Sequence, residues 1–173
     1  MRIRSPRTVT VLVALSLGAA ACSSGAHSAA TTTTTMALNP ATAQASINTA
    51  YSTLFTFSDK SVGDKEAVIQ GGTALKTALA QALASPLSSS STGARVDTTL
   101  ILYGLGCSSQ QLPSPCAKVT YDILGASGAP SLAGQTGYAV YLGGKWLVAK
   151  ATICGLLGLF YTASGKTGSP PGC

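Results

Sequence analysis

Histidine is almost missing from this chain: the 173 residues contain one, His27. Acids are nearly as scarce, with five in all: Asp59, Asp64, Glu66, Asp97 and Asp122. A Ser-His-Asp or Cys-His arrangement needs an imidazole held in a folded domain. His27 sits among Ser, Ala, Thr and Gly, so the domain has no such arrangement and no histidine-based metal site. There is no Asp-x-Asp-x-Asp calcium loop and no CxxC pair to make the cysteines a zinc site. Gly71-Gly72 and Gly143-Gly144 read as turns, because no GxGxxG or GKT/S follows a strand, and Gly165-Lys166-Thr167 lacks the upstream Gly and the helix of a P-loop. Charged residues make up 9% of the chain and form no basic run, whereas nucleic-acid binding needs clustered Lys and Arg. The expectation is no catalytic residue, no metal, no cofactor and no nucleic acid.

What is there begins at the N-terminus. Arg2, Arg4 and Arg7 precede an apolar run, Val9 to Leu17, and then Gly18-Ala19-Ala20-Ala21-Cys22. A basic start, a short apolar core and small residues before a cleavage point describe a secretory signal over residues 1–21. The run is too short for a spanning helix of about 20 residues, though a retained signal anchor is the alternative. Ala19-Ala20-Ala21-Cys22 resembles the lipobox of bacterial lipoproteins, with Ala19 where Leu is preferred. The resemblance implies a diacylglyceryl thioether on Cys22 and attachment to the extracytoplasmic face of the cell membrane; two or more acyl chains hold a protein stably. Plain secretion is the other reading. Without the signal, eight Lys and Arg face five acids, so the mature charge falls to +3.

Residues 22–38 carry almost no large apolar side chain and include an unbroken Thr31 to Thr35 run. Such a stretch cannot offset its ordering entropy and reads as a disordered tether; the threonine run is a candidate for glycosylation. Four further cysteines, Cys107, Cys116, Cys154 and Cys173, make an even number in an exported chain and predict two disulfides. Three pairings are possible. The simplest closes Cys107 to Cys116 across a turn-rich loop and leaves Cys154 with Cys173, pinning the tail.

The domain is expected over residues 39–161, followed by a Gly/Pro-rich tail, 162–173. Asn39-Pro40 is a helix start. Ile47, Ala50, Tyr51, Leu54 and Phe55 then share one helical face, with an end near Phe57-Ser58. Asp64 to Gln70 reads as a second helix stopped by Gly71-Gly72, and Ala74 to Ala84 as a third, capped by Thr73. From Arg95 the period becomes two. Strands are predicted over Arg95 to Gly104, Lys118 to Leu124, Thr136 to Leu142 and Lys145 to Thr152, with a loop at Gly125 to Gly134 and a hairpin at Gly143-Gly144. In the first strand Val96, Thr98, Leu100 and Leu102 face one way; in the second, Val119, Tyr121 and Ile123 do. Cys154 to Tyr161 makes a final helical turn or two. Helices followed by an antiparallel meander give an α+β fold: three helices on a curved four-stranded sheet, with a short C-terminal helix.

Asp64-Lys65, Val68-Ile69-Gln70-Gly71-Gly72 and the strand Gly144-Lys145-Trp146-Leu147 running into Cys154-Gly155-Leu156-Leu157 resemble the C-terminal domain of the mycobacterial low-molecular-weight secreted antigen family. The resemblance spans about residues 40–160. It implies an exported or lipid-anchored actinobacterial protein, a fold similar to the nuclear-transport-factor-2-like cone, and no known activity. Gln70 stands where that family usually carries an acid.

A cone of this kind can enclose an apolar pocket, and Ile47, Leu54, Leu100, Tyr121 and Trp146 are the candidate lining. This favours a non-enzymatic binding module for a small apolar ligand or an envelope protein. The alternative is an isomerase or dehydratase using Asp97 or Asp122 as base. Asp97 and Tyr103 share a face but lie roughly 20 Å apart along a strand. Asp59, Asp64 and Glu66 sit at helix edges, where carboxylates suit N-terminal dipoles.

Overall fold

The computed structural model describes residues 38–173. The signal, Cys22, His27 and the threonine run lie outside the described residues. Helix α1 spans Pro40–Phe55; the Asn39 side chain accepts from the Ala41 and Thr42 amides, and Pro40 opens the first turn. Its buried face holds Ala43, Ile47, Ala50, Tyr51, Leu54 and Phe55, the face read from the spacing. The helix stops at Phe55, short of the expected Phe57-Ser58. There the buried Lys65 ammonium donates to the Thr53 and Thr56 carbonyls at 2.5 and 2.8 Å. These are carbonyls that a helix end leaves without intrahelical donors.

Lys65 belongs to α2, Val62–Ala67, whose N-cap Ser61 accepts from the Asp64 amide. The predicted helix to Gln70 ends early because Val68 leaves the helix and Ile69 forms a parallel bridge to Val148. The Val148 amide donates to the Val68 carbonyl and the Gln70 amide to the Val148 carbonyl, each at 2.9 Å. A short 3₁₀ turn, Gly72–Leu75, leads into α3, Lys76–Ala84.

The sheet is an antiparallel meander of β1 (Ser91–Leu102), β2 (Cys116–Gly125), β3 (Pro130–Leu142) and β4 (Lys145–Val148), in that spatial order. It curls into a half-barrel, compatible with the cone that the resemblance implied. β3 pairs with β4 across Gly143 and Gly144 (φ 57° and 83°), the positive dihedrals a tight two-residue hairpin needs. The single turn α4, Leu105–Ser108, sits inside the loop between β1 and β2. Helix α5, Lys150–Ala163, closes the fold.

Further sequence expectations are corrected in the sheet, where β1 starts at Ser91 rather than Arg95. β3 begins at Pro130, inside the expected loop, because residues 130–135 pair with β2 through two register shifts. The last strand ends at Val148, not Thr152. The Ala149 amide turns to the Tyr138 carbonyl, the Thr152 hydroxyl binds the Tyr138 backbone, and α5 starts at Lys150 and runs 14 residues. On β1 a register shift between Val96 and Thr98 breaks the alternation. A bulge sets two residues opposite one. Val96 and Ile101 therefore pack on the main core, while Leu100 is turned outward and 60% exposed.

The main core joins the inner faces of α1, α3 and α5 to Val119, Tyr121, Ile123, Ala139, Trp146 and Val148. A smaller cluster, Cys107, Leu112, Cys116, Val140, Leu147 and Ala149, packs separately around the loop that carries α4.

Candidate apolar cavity and its surroundings

None of the five residues expected to line a pocket is in the wall of the apolar cavity described below. Ile47, Leu54 and Tyr121 are fully buried, Trp146 is buried beside Tyr141 at 5.4 Å, and Leu100 lies outside. The interior is filled by aromatic packing: Tyr121 sits 4.8 Å from Tyr51 and 5.5 Å from Phe55, centroid to centroid. The Tyr51 hydroxyl donates to the Tyr138 carbonyl at 3.1 Å. Burial raises the pKa of both phenols, Tyr121 to about 12, because an ionised phenolate would lose its hydration there.

An open cavity of about 310 Å³ lies elsewhere, where several elements end. α1 contributes Phe55, its last residue, and Phe57 follows just beyond; β1 contributes Ser91, its first. Ile123 comes from β2, and Ser131 and Leu132 from β3. α5 contributes Leu156, Leu159, Phe160 and Ala163, one stripe at i, i+3, i+4 and i+7. That stripe was the available sequence signal. A helical turn or two over Cys154 to Tyr161 is too short to show it, because the stripe runs on to Ala163.

The cavity offers little polarity. The Ser91 hydroxyl donates to the Phe55 carbonyl and the Ser131 hydroxyl to the Ile123 carbonyl, both at 3.1 Å; Ser90, also in the wall, is partnered too. No acid or base is among the lining residues. Leu132 and Leu159 are 48% and 68% exposed at the rim.

The strand acids are placed away from this cavity. Asp122 is buried, and both its oxygens are engaged, Oδ2 by Arg95 at 2.6 Å and Oδ1 by the Gly134 amide at 2.8 Å. Arg95 also binds Asp97 at 3.1 Å. This trio ties β1 to the irregular part of the β2–β3 pairing, where Asp122 has no ladder partner on β3. Tyr103 is exposed next to α4.

Around α2, Lys65 has its pKa lowered first by burial, with Asp59 at 3.8 Å opposing the shift. Asp59 also accepts from the Ser61 amide. Of the three possible cysteine pairings, the chain has Cys107–Cys116 and Cys154–Cys173. The first staples α4 to the start of β2, and the second ties α5 to the last residue.

A curled antiparallel half-barrel packed against helices, with two disulfides and an apolar cavity at one end, defines a small α+β protein with the cysteine chemistry of an oxidising compartment. Residues 39–164 match the family described as low molecular weight antigen MTB12, C-terminal domain, and the chain belongs to that family. Membership makes it a secreted or envelope antigen-like protein. No curated protein and no solved structure matches the chain. Among the described residues no helix is long and apolar enough to cross a membrane.

Proposed function

We propose that the protein is a non-enzymatic binding module, lipid-anchored through Cys22 on the extracytoplasmic face of the cell membrane, and that it holds a small apolar molecule between Phe55, Ile123 and Leu156. The cavity carries this reading. Its 310 Å³ falls within the roughly 300–1,000 Å³ of small-molecule sites. Its wall is apolar, and the Ser91 and Ser131 hydroxyls are turned to backbone carbonyls. The anchor rests on the Ala-Ala-Ala-Cys sequence before the tether.

Native mass spectrometry of the protein taken from its own membrane tests both parts. The expected result is a covalent acyl increment on the Cys22 peptide and a non-covalent hydrophobic adduct lost on unfolding. An unmodified Cys22 would overturn the anchor. An empty protein that also takes up no apolar probe would overturn the binding reading.

A second reading has its own support. Leu100, Tyr103 and Leu105, 60%, 57% and 88% exposed, crowd the opposite end of β1. Grouped exposed apolar side chains mark interaction sites, and an envelope protein is the partner this end would take. Photo-crosslinking from position 105 in intact cells should give one discrete adduct; a smear or no product would discard it.

A further inference from the structure

The side chains lining the cavity carry no charge. A buried carboxylate or phosphate needs donors or a cation to replace its hydration. None is offered. Each serine hydroxyl has a single proton, and those of Ser91 and Ser131 are spent on the Phe55 and Ile123 carbonyls. The cations in neighbouring segments are engaged elsewhere. Lys60 donates to the Leu83 carbonyl and Ser88, Lys65 to the Thr53 and Thr56 carbonyls, and Lys166 to Gln81. Ala163 is the last residue of α5 and also lines the cavity. The mouth thus borders the C-terminus of α5, the negative end of its dipole, where the Phe160, Tyr161 and Thr162 carbonyls accept from Ser164, Gly165 and Lys166. What remains is acceptor capacity, in the lone pairs of the serine oxygens and the second lone pairs of those carbonyls.

We infer that the occupant is a neutral single-chain lipid whose polar end is a hydrogen-bond donor such as a hydroxyl, and that a carboxylate of the same length is rejected. This rests on the binding-module reading above. At about 310 Å³ the cavity is twice the roughly 150 Å³ that accommodates benzene, giving room for about ten to twelve carbons. The hydrocarbon contacts Phe55, Phe57, Ile123 and Leu156, and the hydroxyl donates to an acceptor at the rim.

The test compares 1-decanol with decanoate at pH 7.5 by calorimetric titration of the full exported chain carrying Cys22→Ser, purified without detergent. The alcohol should bind at least tenfold more tightly. Leu132→Lys, at a half-exposed rim position, puts a cation at the mouth and should narrow that ratio at least fivefold by improving decanoate. Ala163→Trp, at an exposed helix end, should weaken both probes at least tenfold without altering the circular dichroism. Equal binding of the two probes, or no gain for decanoate in Leu132→Lys, overturns the inference and leaves the binding module standing. Failure of both probes to bind the parent chain overturns the two together.

Discussion

Gln70 caps a helix that begins 80 residues later: its side-chain oxygen accepts from the Lys150 amide at 3.2 Å. α5 needs this because its own N-cap position is Ala149, which has no side-chain acceptor. The same residue, through its main chain, bonds the edge of β4. One residue thus joins the segment after α2, the last strand and the last helix. Losing a capping oxygen costs about 0.5–2 kcal/mol, so Gln70→Ala should lower the urea midpoint by that equivalent with an unchanged m-value. Gln70→Glu should do the reverse by a few tenths to about 1 kcal/mol, since a carboxylate at a helix N-terminus gains from the dipole. An unchanged midpoint in both variants would show that Gln70 is not the cap.

Gly137 has no room for a side chain. A β-carbon there would sit 2.6 Å from Thr152 Cγ2 and 2.8 Å from the Tyr51 hydroxyl. Its neighbour Tyr138 needs that close approach, since the Tyr138 carbonyl accepts from Tyr51, Thr152 and the Ala149 amide. Gly137→Ala should cost about 1–3 kcal/mol by overpacking. Thr152→Ser removes the nearer clash and keeps the hydroxyl, so in a double-mutant cycle the pair should couple favourably by more than 0.5 kcal/mol. Additive costs would contradict the close contact.

The buried phenols set an alkaline limit. Both Tyr51 and Tyr121 have folded pKa values raised above the ordinary 10.0, Tyr121 to about 12. Above pH 10 the unfolded chain releases these protons while the folded chain keeps them, so stability falls as pH rises through that window. Each phenol contributes a slope of roughly 1 kcal/mol per pH unit. Lys65 runs the other way: its folded pKa is lowered, so below 10.5 it adds stability as pH rises. Comparing each Tyr→Phe variant with the parent between pH 9 and 11.5 cancels the lysine. The stability difference should shift in favour of the Phe variant as pH increases; parallel curves would contradict it.

Local signals led to the right architecture where one residue type dictates one backbone. Asn39-Pro40 starts a helix, Gly143-Gly144 closes a hairpin, and Val119, Tyr121 and Ile123 all turn to the core. The errors come from interactions distant in sequence. Nothing near Thr152 announces that Tyr138 and Gln70 will end the strand and begin a helix. The β1 bulge at Val96–Thr98 turned Leu100 outward, so a period of two misassigned one of the five expected pocket residues. Ile47, Leu54, Tyr121 and Trp146, expected around a pocket, are packed into the core. Whether buried residues fill space or surround it depends on how chain ends meet. The cavity arises where α1, β1 and α5 terminate together, and that relationship has no local pattern.

The tail bridge should govern α5 more than it governs the rest of the fold. Cys154 lies in the first half of that helix and Cys173 ends the chain, 19 residues on. Between them Pro170 is buried, and Lys166 bonds Gln81 on α3 while its ammonium lies 5.1 Å above the Tyr161 ring. The segment after α5 thus crosses back over α3, and the bridge holds it there. Closing a loop of this size stabilises by about 3 kcal/mol, so Cys154→Ser with Cys173→Ser should lose roughly that much in urea unfolding. Amide exchange should accelerate most in α5 and α3, and least in the β1–β2 pairing. The matching double variant at Cys107 and Cys116 should show the opposite pattern, loosening α4 and the smaller cluster around Leu112 and Val140. If both pairs loosened the same amides, the two bridges would not be local staples, and the stabilisation would have to come from the unfolded chain alone.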